Sequence, residues 1–302
     1  MRLHRLADHV VGAPGASRVV TEPGVPRTER ARRRGRRRTI VAAGVAALLL
    51  APVTGVGVLR GEETEAPQAA PPPSTSPATT TTLAEQPATV ATTKVESLGV
   101  RAEPNGTAPI LASLGPTTGY GFATTLLVES DQAASAPGWV PVLIPFQKPN
   151  STLGWVPAEE VALSETTYEI EINLGRHELV MLNAGVPVLS TTVILGTPET
   201  PTPPGRFYVT DPLNCNTEAV PGYPIAQCSG AYGAFAIGIS GLSEALDSFD
   251  GTIPQLAVHG TNLPPTELGK DLSNGCVRIP NDVVLQMART TPLLGVPVTI
   301  TA

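Results

Sequence analysis

Hydrophobic and polar positions alternate along much of the second half of the chain, in the pattern typical of β-strands. Two such runs, Tyr168–Ile172 and His177–Leu182, flank the polar segment Asn173–Arg176. Alternation with a period of two puts one set of side chains in a core, and a short turn between two such runs predicts a β-hairpin. Further strands are predicted over three later apolar segments: Val186–Leu195, Phe207–Val209 and Val296–Ile300.

One segment of this half has helical spacing, over Asn281–Thr290. Pro280 precedes it, and Asn281 can cap it. The apolar residues that share one face of this helix are Val284, Leu285 and Ala288. Residues 165–302 are therefore predicted to form a mainly β domain with one short helix.

Residues 94–163 carry short apolar runs separated by Gly, Pro and Asn, which predicts a small β domain. Two segments echo each other, Gly138-Trp139-Val140 and Gly154-Trp155-Val156. We expect the two tryptophans to pack in the core of this domain, because it has few other large side chains, rather than to contact a ligand.

Residues 61–93 have the composition of a linker. They include six prolines and a tract of threonines, and they offer almost nothing to bury. At the rise of a polyproline helix, such a segment would reach roughly 100 Å. It could carry the following domains away from whatever precedes it, or act only as an inert spacer.

An uncharged stretch, Ile40–Leu59, precedes the linker and follows eight arginines within residues 27–38. Twenty residues at helical rise span roughly 30 Å, the thickness of a bilayer core. We predict a transmembrane signal-anchor over 39–60 and a disordered basic tail over 1–38, with the arginines on the cytoplasmic side. A cleaved signal peptide is the alternative, although no clear small-residue cleavage site follows. Both readings place the rest of the chain outside the cytoplasm.

The balance of charged residues also changes near residue 60. Residues 1–60 hold 12 Arg and three acidic residues, whereas the remainder holds eight basic and 23 acidic residues. The basic run alone could bind nucleic acid, but a globular part with a net charge of −15 would not displace the counterions of phosphates. We therefore expect no nucleic-acid partner.

The chain has three cysteines: Cys215, Cys228 and Cys276. An odd number in an exported protein suggests one disulfide and one free thiol. Cys215 and Cys228 lie in one Pro- and Gly-rich loop, and we expect them to pair outside the cytoplasm. Their spacing is not that of a C-x-x-C redox motif, and no histidine stands near them to complete a metal site.

The segment Ser273-Asn274-Gly275-Cys276-Val277-Arg278 is the strongest candidate for chemistry. A thiol near the start of the predicted helix can have its thiolate stabilised by the helix dipole. Gly275 lets the backbone approach a substrate, and the N–H groups around Gly275 and Cys276 could point at a developing oxyanion.

A nucleophilic cysteine needs a base, and His259 is the best candidate among the four histidines. His4 and His9 lie in the tail, and His177 lies beside the predicted hairpin turn, where a surface role is expected. His259 ends an apolar run, and Gly260, Thr261 and Asn262 follow it. Taken alone, a histidine or a cysteine in such a place is usually structural.

Together these motifs resemble the L,D-transpeptidase catalytic domain, the YkuD-like fold. The resemblance rests on His-Gly-Thr-Asn, on Ser-x-Gly-Cys-Val-Arg and on the upstream segment Gly196–Phe207, which is similar to that family's Gly-x-x-x-x-x-Thr-Pro-x-Gly-x-Phe, in that family's order. The fold it implies is a β-sandwich with one short helix after the cysteine motif, preceded here by a module similar to an SH3-like β-barrel. The N-terminal anchor, linker and SH3-like module resemble an actinobacterial arrangement. One departure is Asn274, where the family usually has histidine.

The resemblance implies Cys276 as the nucleophile and His259 as its base or ion-pair partner, oriented by a backbone carbonyl near the cysteine motif. It also implies oxyanion or loop roles for Ser273, Asn274 and Gly275. The residues it places toward the substrate are Arg278, Gly260, Thr261, Tyr232 and Ser240. No cofactor or metal is expected.

The implied reaction takes place on peptidoglycan. Cys276 would attack the diaminopimelate carbonyl of a tetrapeptide stem and expel D-alanine, and an amine of a neighbouring stem would resolve the thioester into a 3–3 cross-link, which would serve cell-wall organization and cell shape. Carbapenems would acylate the same thiol. The alternatives are L,D-carboxypeptidase activity, amino-acid exchange on the same stems, or a catalytically weak wall-binding protein.

Overall fold

The computed structural model describes residues 86–129 and 136–302. Within them the chain forms seventeen strands and one α-helix. The elements are β1 (Ala88–Thr93), β2 (Leu98–Arg101), β3 (Ile110–Leu114), β4 (Thr125–Leu127), β5 (Trp139–Leu143), β6 (Leu153–Pro157), β7 (Val161–Thr166), β8 (Tyr168–Asn173), β9 (Glu178–Asn183), β10 (Val186–Thr192), β11 (Leu195–Gly196), β12 (Gly205–Asn214), β13 (Phe235–Leu242), β14 (Gln255–His259), β15 (Asp271–Ser273), β16 (Val277–Arg278), α1 (Asn281–Thr290) and β17 (Pro297–Thr301).

The predicted tail, anchor and most of the linker lie outside the described residues. In the two described ranges, no helix has the length and apolar character needed to cross a membrane. The linker was predicted to run to residue 93, and this boundary is wrong. Val90 and Ala91 are buried, and they place β1 between β4 and β7.

We call residues 88–166 the first β region. It contains two small antiparallel sheets, ordered β4-β1-β7 and β3-β2-β6-β5. Its core is almost entirely aliphatic, and the tryptophans were wrongly expected to fill it: Trp139 and Trp155 are only half-buried. Val140, Val142 and Val156 alternate with them and take the inward positions instead. That this region is an SH3-like barrel stays a prediction.

We call residues 168–301 the second β region. Its main element is an eight-stranded mixed sheet, ordered β10-β9-β8-β17-β12-β13-β14-β16. The predicted hairpin is present as β8 and β9, joined at Leu174–His177. The predicted helix is present with the predicted bounds. Seven of the eight strands contribute to one core cluster together with α1, so the sheet curls around that core.

The strands next to the cysteine motif have two different faces. Alternate residues on β13, β14 and β16 belong to the core cluster, among them Ile237, Val258 and Val277. The residues between them lie on the opposite face of the sheet, because successive side chains of a strand alternate. These residues are Ala236, Gly238, Gln255, Ala257, His259 and Arg278. The chemically distinctive residues of the sequence therefore share the face that is turned away from the core.

The first β region packs against this second face. Tyr208 of β12 is fully buried in the core of the first β region, and its hydroxyl donates to Leu143 O at 3.2 Å. Asn150 Nδ2 donates to Leu242 O at 2.8 Å, and Thr118 Oγ1 donates to Asp211 Oδ1 at 2.5 Å. These contacts let loops of the first β region line the same surface as β13 and β14.

Candidate active site

His259 is the last residue of β14, and its side chain is buried. Its ring Nδ1 lies 2.6 Å from Gly260 O. A carbonyl oxygen can only accept, so Nδ1 carries the proton and Nε2 keeps its lone pair. The orienting carbonyl was expected near the cysteine motif, and this expectation is wrong, because it belongs to the residue directly after His259.

Burial also sets the protonation of His259. The pKa of the imidazole is lowered to about 4, chiefly by burial and also by the positive charge of Arg278, while the hydrogen bond to Gly260 opposes the shift. His259 is therefore neutral at physiological pH. A neutral imidazole with a free Nε2 is a proton acceptor.

Cys276 lies in the loop between β15 and β16, and it is half-buried. Burial raises the pKa of its thiol, while a backbone hydrogen bond with Ala257 and the charge of Arg278 lower it. Strand β16 lies between Cys276 and the start of α1, and stabilisation of the thiolate by the helix dipole stays a prediction. The resting pair is therefore a thiol and a neutral imidazole rather than an ion pair.

The strand register places Cys276 and His259 on one face. β14 and β16 are parallel, with Val258 opposite Val277 and His259 opposite Arg278. Residues directly opposite each other share a face. Since Val258 and Val277 point into the core, His259 and Arg278 point away from it, and Cys276 takes the matching position beside Ala257.

The loop before Cys276 is shaped by Ser273. Its buried hydroxyl donates to Cys276 O at 2.5 Å and accepts from Gly275 N at 3.1 Å. Gly275 has a φ of 111°, which L side chains rarely adopt. The N–H of Gly275 is thus already used within the loop, which leaves the N–H of Cys276 as the better oxyanion donor. Asn274 is exposed.

The loop after β14, which follows His259, is held in place by Asn281 at the start of α1. Asn281 does not cap α1 as predicted, because its side chain is used elsewhere: Oδ1 accepts from Ala234 N and Thr261 N, and Nδ2 donates to Thr261 O at 2.9 Å. A Cβ on Gly260 would collide with that Oδ1, so this position requires glycine. The start of the helix therefore ties down the loop that supplies the carbonyl partner of His259.

The side chains of Tyr232 and Arg278 complete the surroundings of His259 and Cys276. The ring of Tyr232 lies 4.9 Å from that of His259, centroid to centroid. Arg278 Nε is buried without a hydrogen-bond partner in the described part of the chain. Its charge acts on Tyr232, His259 and Cys276. A buried donor without a partner is costly, so Arg278 is suited to receive an acceptor from a ligand.

The remaining predicted site residues lie further away. Ser240 is buried, and its hydroxyl accepts from Tyr208 N at 3.2 Å, where the two β regions meet. Cys215 and Cys228 form a disulfide, and Cys276 is free. Among the described residues, no three His, Cys, Asp or Glu side chains converge as metal ligands would.

A cleft of about 590 Å³ lies on the face away from the core. Tyr120 and Phe146 of the first β region form part of its wall, and Tyr232, Gln255 and Ala257 form another part. Sequence reasoning missed the contribution of the first β region, and it also missed Asp211, which lines the same cleft. No motif marks these residues, because they come together only through tertiary packing.

The described site can be compared with known families. Residues 167–300 match the family model of the YkuD L,D-transpeptidase catalytic domain. The match supports an L,D-transpeptidase catalytic domain in this part of the chain. No protein of curated function matches the chain in sequence.

Solved structures similar to this chain include three L,D-transpeptidases. The catalytic domain of the Enterococcus faecium enzyme acylated by ertapenem is 23% identical, with a TM-score of 0.32, and the match covers 45% of this chain and 98% of that one. An L,D-transpeptidase from Mycobacterium tuberculosis H37Rv is 16% identical, with a TM-score of 0.35 and coverages of 59% and 90%. L,D-transpeptidase 3 from M. tuberculosis with a faropenem-derived adduct is 16% identical, with a TM-score of 0.36 and coverages of 59% and 91%.

Proposed function

We propose that this chain is a cysteine acyltransferase that forms 3–3 cross-links between peptidoglycan stem peptides through a thioester on Cys276. The observation that carries the proposal is the arrangement of Cys276 and His259. His259 ends β14, Cys276 directly precedes β16, and the register of these parallel strands puts both on one face. His259 presents an unprotonated Nε2 because Gly260 O holds its Nδ1–H. This is the arrangement that a thiol nucleophile with a general base requires.

The first half-reaction begins from neutral groups. As the sulfur of Cys276 attacks the diaminopimelate carbonyl of the donor tetrapeptide, its proton passes to Nε2 of His259. The N–H of Cys276 donates to the oxyanion that forms. When the tetrahedral intermediate collapses, the C–N bond to D-alanine breaks, and the imidazolium returns the proton to the leaving amine. The product is a thioester and free D-alanine.

The second half-reaction uses the same groups in reverse. The side-chain amine of a neighbouring stem attacks the thioester carbonyl, and His259 takes the proton from the attacking nitrogen. The C–S bond breaks, and the thiol of Cys276 is restored by that proton. Water in place of the amine would give L,D-carboxypeptidase activity through the same intermediate.

The electrostatics of the site suit a substrate with a carboxylate. Arg278 offers a buried Nε without a partner, close enough to Cys276 and His259 to influence both pKa values. We assign Arg278 to a carboxylate of the stem. That bond would satisfy the unpaired donor and bring the carbonyl toward the sulfur.

The location of the enzyme follows from the reaction. Peptidoglycan stems are cross-linked outside the cytoplasmic membrane, and the disulfide between Cys215 and Cys228 fits an oxidising exterior. We propose a single-pass protein of the cell membrane, anchored by residues 39–60, with residues 88–301 on the cell-wall side.

Substitution of Cys276 tests the proposal. With a disaccharide-tetrapeptide as substrate, Cys276→Ala should abolish both D-alanine release and dimer formation, and a carbapenem should no longer add its mass to the protein. Cys276→Ser is the matched control for shape, because it keeps a hydroxyl in place of the thiol; we expect a loss of at least about a thousandfold. Dimer formation by Cys276→Ala would refute the assignment. A product consisting only of tripeptide would favour hydrolysis over cross-linking.

A further inference from the structure

Asp211 is a buried carboxylate in the wall of the cleft, and the half-reactions above do not use it. The residue is 1% exposed. Its Oδ1 accepts from Thr118 Oγ1 at 2.5 Å, and its Oδ2 accepts from Gln255 Nε2 at 3.1 Å. Both donors are neutral. Within 86–129 and 136–302, Asp211 takes part in no ion pair, although a buried charge normally requires a partner of opposite sign.

The cleft around Asp211 is lined by many aromatic and apolar residues and by neutral polar ones, among them Gln227, Ser229 and Thr252. Its lining includes Tyr120, Phe146, Phe249, Ile253 and Leu256. A carboxylate in such surroundings attracts a cation more strongly than one in water does, because the local dielectric constant is low. The chemical group that Asp211 lacks is therefore a positively charged nitrogen.

The sheet register connects Asp211 to the nucleophile. Asp211 pairs with Gly238 across β12 and β13, and Gly238 pairs with Ala257 across β13 and β14. Ala257 in turn forms the backbone hydrogen bond with Cys276. The four residues thus form one row across the sheet, on the face that carries His259. At about 4.8 Å per strand, three steps separate Asp211 from Cys276 by roughly 14 Å.

The two residues between the ends of this row are small, and the side chains of Gln255 and Asp211 come together over the first of them. Gly238 has no side chain, and Ala257 has only a methyl group. A Cβ on Gly238 would lie 2.9 Å from Gln255 Nε2 and 3.1 Å from Asp211 Cβ, so glycine is what lets these two groups come together. Gly238, Ala257 and Asp211 all line the cleft.

We propose that this row binds the side chain of the diamino acid whose carbonyl Cys276 attacks, with the carboxylate of Asp211 holding its terminal ammonium group. The inference rests on the proposed function and names the part of the donor stem that the site selects. From the attacked carbonyl carbon to the terminal nitrogen are six bonds, which extend roughly 7.5 Å. Adding about 3 Å of contact at each end gives roughly 13 Å, which matches the span of the row.

The test compares donors on the full chain. One tetrapeptide donor carries the free terminal amine, and a second carries the same amine acetylated. A third has diaminobutyrate at this position, whose ammonium lies two bonds closer to the attacked carbonyl carbon. The wild-type protein should release D-alanine from the first about tenfold to a hundredfold faster, at substrate concentrations below KM, than from the other two. Equal rates for the three donors would overturn the proposal, and this comparison needs no variant.

Asp211→Asn sharpens the test because it removes the charge and keeps the shape. It should reduce the preference for the free amine to less than about twofold. Asp250→Asn is the matched control, since Asp250 is an exposed carboxylate whose charge reaches Tyr232 at the edge of the cleft. It should retain the wild-type preference. An unchanged preference in Asp211→Asn would contradict the assignment.

A second readout separates this inference from the proposed function. Acylation of Cys276 by a penem without an amine, followed by intact mass, requires the nucleophile but not the ammonium site. Asp211→Asn should still gain the full mass of the penem. If the wild-type protein neither releases D-alanine nor gains the mass of the penem, the proposed function fails. If it does both without distinguishing the donors, only the ammonium site fails.

Discussion

The two faces of strands β13, β14 and β16 have different roles, although they belong to the same strands. Alternate residues of each strand form one face or the other. One face contributes Ile237, Val258 and Val277 to the core. The other carries small residues and the candidate chemistry. Its members in this part of the sheet are Gly238, Gln255, Ala257, His259, Cys276 and Arg278. The alternation of a β-strand therefore allows stability and reactivity to be encoded side by side.

The difference between the faces also explains the electrostatics of the site. The core-facing side chains of β13, β14 and β16 are apolar, so they need no hydrogen-bond partners. On the other face, burial drives His259 and Cys276 toward their neutral forms, and Arg278 Nε has no partner among the described residues. These features cost stability, and they are the features that we propose bind and activate a substrate. The comparison predicts that substitutions on the two faces have separable effects.

The largest difference between the effect on activity and the effect on stability is expected for His259→Gln, on the cleft face. Loss of the general base should lower the rate of D-alanine release by about 10²- to 10⁴-fold. The glutamine amide can still donate to Gly260 O, so the free energy of unfolding at pH 7 should change by less than about 1 kcal/mol. The measurements are steady-state kinetics and denaturant titration on the same preparation.

His177→Gln is the matched control for this experiment. His177 is in the turn between β8 and β9 and lies 2.8 Å from Asp271. Its replacement should leave the rate within a few-fold of the wild-type value. Equal losses in the two variants would mean that His259 has no special role.

The opposite result is expected on the core face, for Ile237→Ala. Ile237 is fully buried, and the cavity left by the substitution should lower the free energy of unfolding by about 2–5 kcal/mol. Ile237→Val should cost about 0.5–1.5 kcal/mol, which provides a graded control. At a temperature where both variants are folded, D-alanine release should stay within a few-fold of wild type. A loss of activity as large as that of His259→Gln, in a folded variant, would show that the faces are not independent.

Much of this arrangement could be predicted from the sequence because it depends on local patterns. The bounds of α1 follow from Pro280 and the helical spacing of its apolar residues. The β8–β9 hairpin follows from alternation around a polar turn. His259 and Cys276 stood out because each ends or interrupts an apolar run beside a glycine.

Other features depend on contacts between distant residues, and local patterns do not reveal them. Strand β1 was assigned to the linker because its composition is weakly apolar, yet pairing with β4 and β7 buries Val90 and Ala91. Thr118 meets Asp211 across 93 positions. The raised pKa of Cys276 comes chiefly from burial, which no local pattern reveals. Burial is a property of the assembled fold, which is why the sequence left His259 open as either a base or an ion-pair partner.

The dependence of the unfolding free energy on pH tests the burial of His259 directly. The pKa of His259 is about 4 in the folded protein and ordinarily 6.5. Between these values the unfolded chain binds more protons than the folded one, so stability rises as pH increases through this window and is lost as pH falls through it. Between pH 7 and pH 4, wild type should therefore lose roughly 3 kcal/mol of unfolding free energy relative to His259→Gln, so that the variant becomes the more stable of the two at pH 4. Carboxylates titrate equally in both proteins and cancel. A difference that stays constant over this range would mean that His259 is accessible to solvent, which would remove the reason for a neutral thiol–imidazole pair.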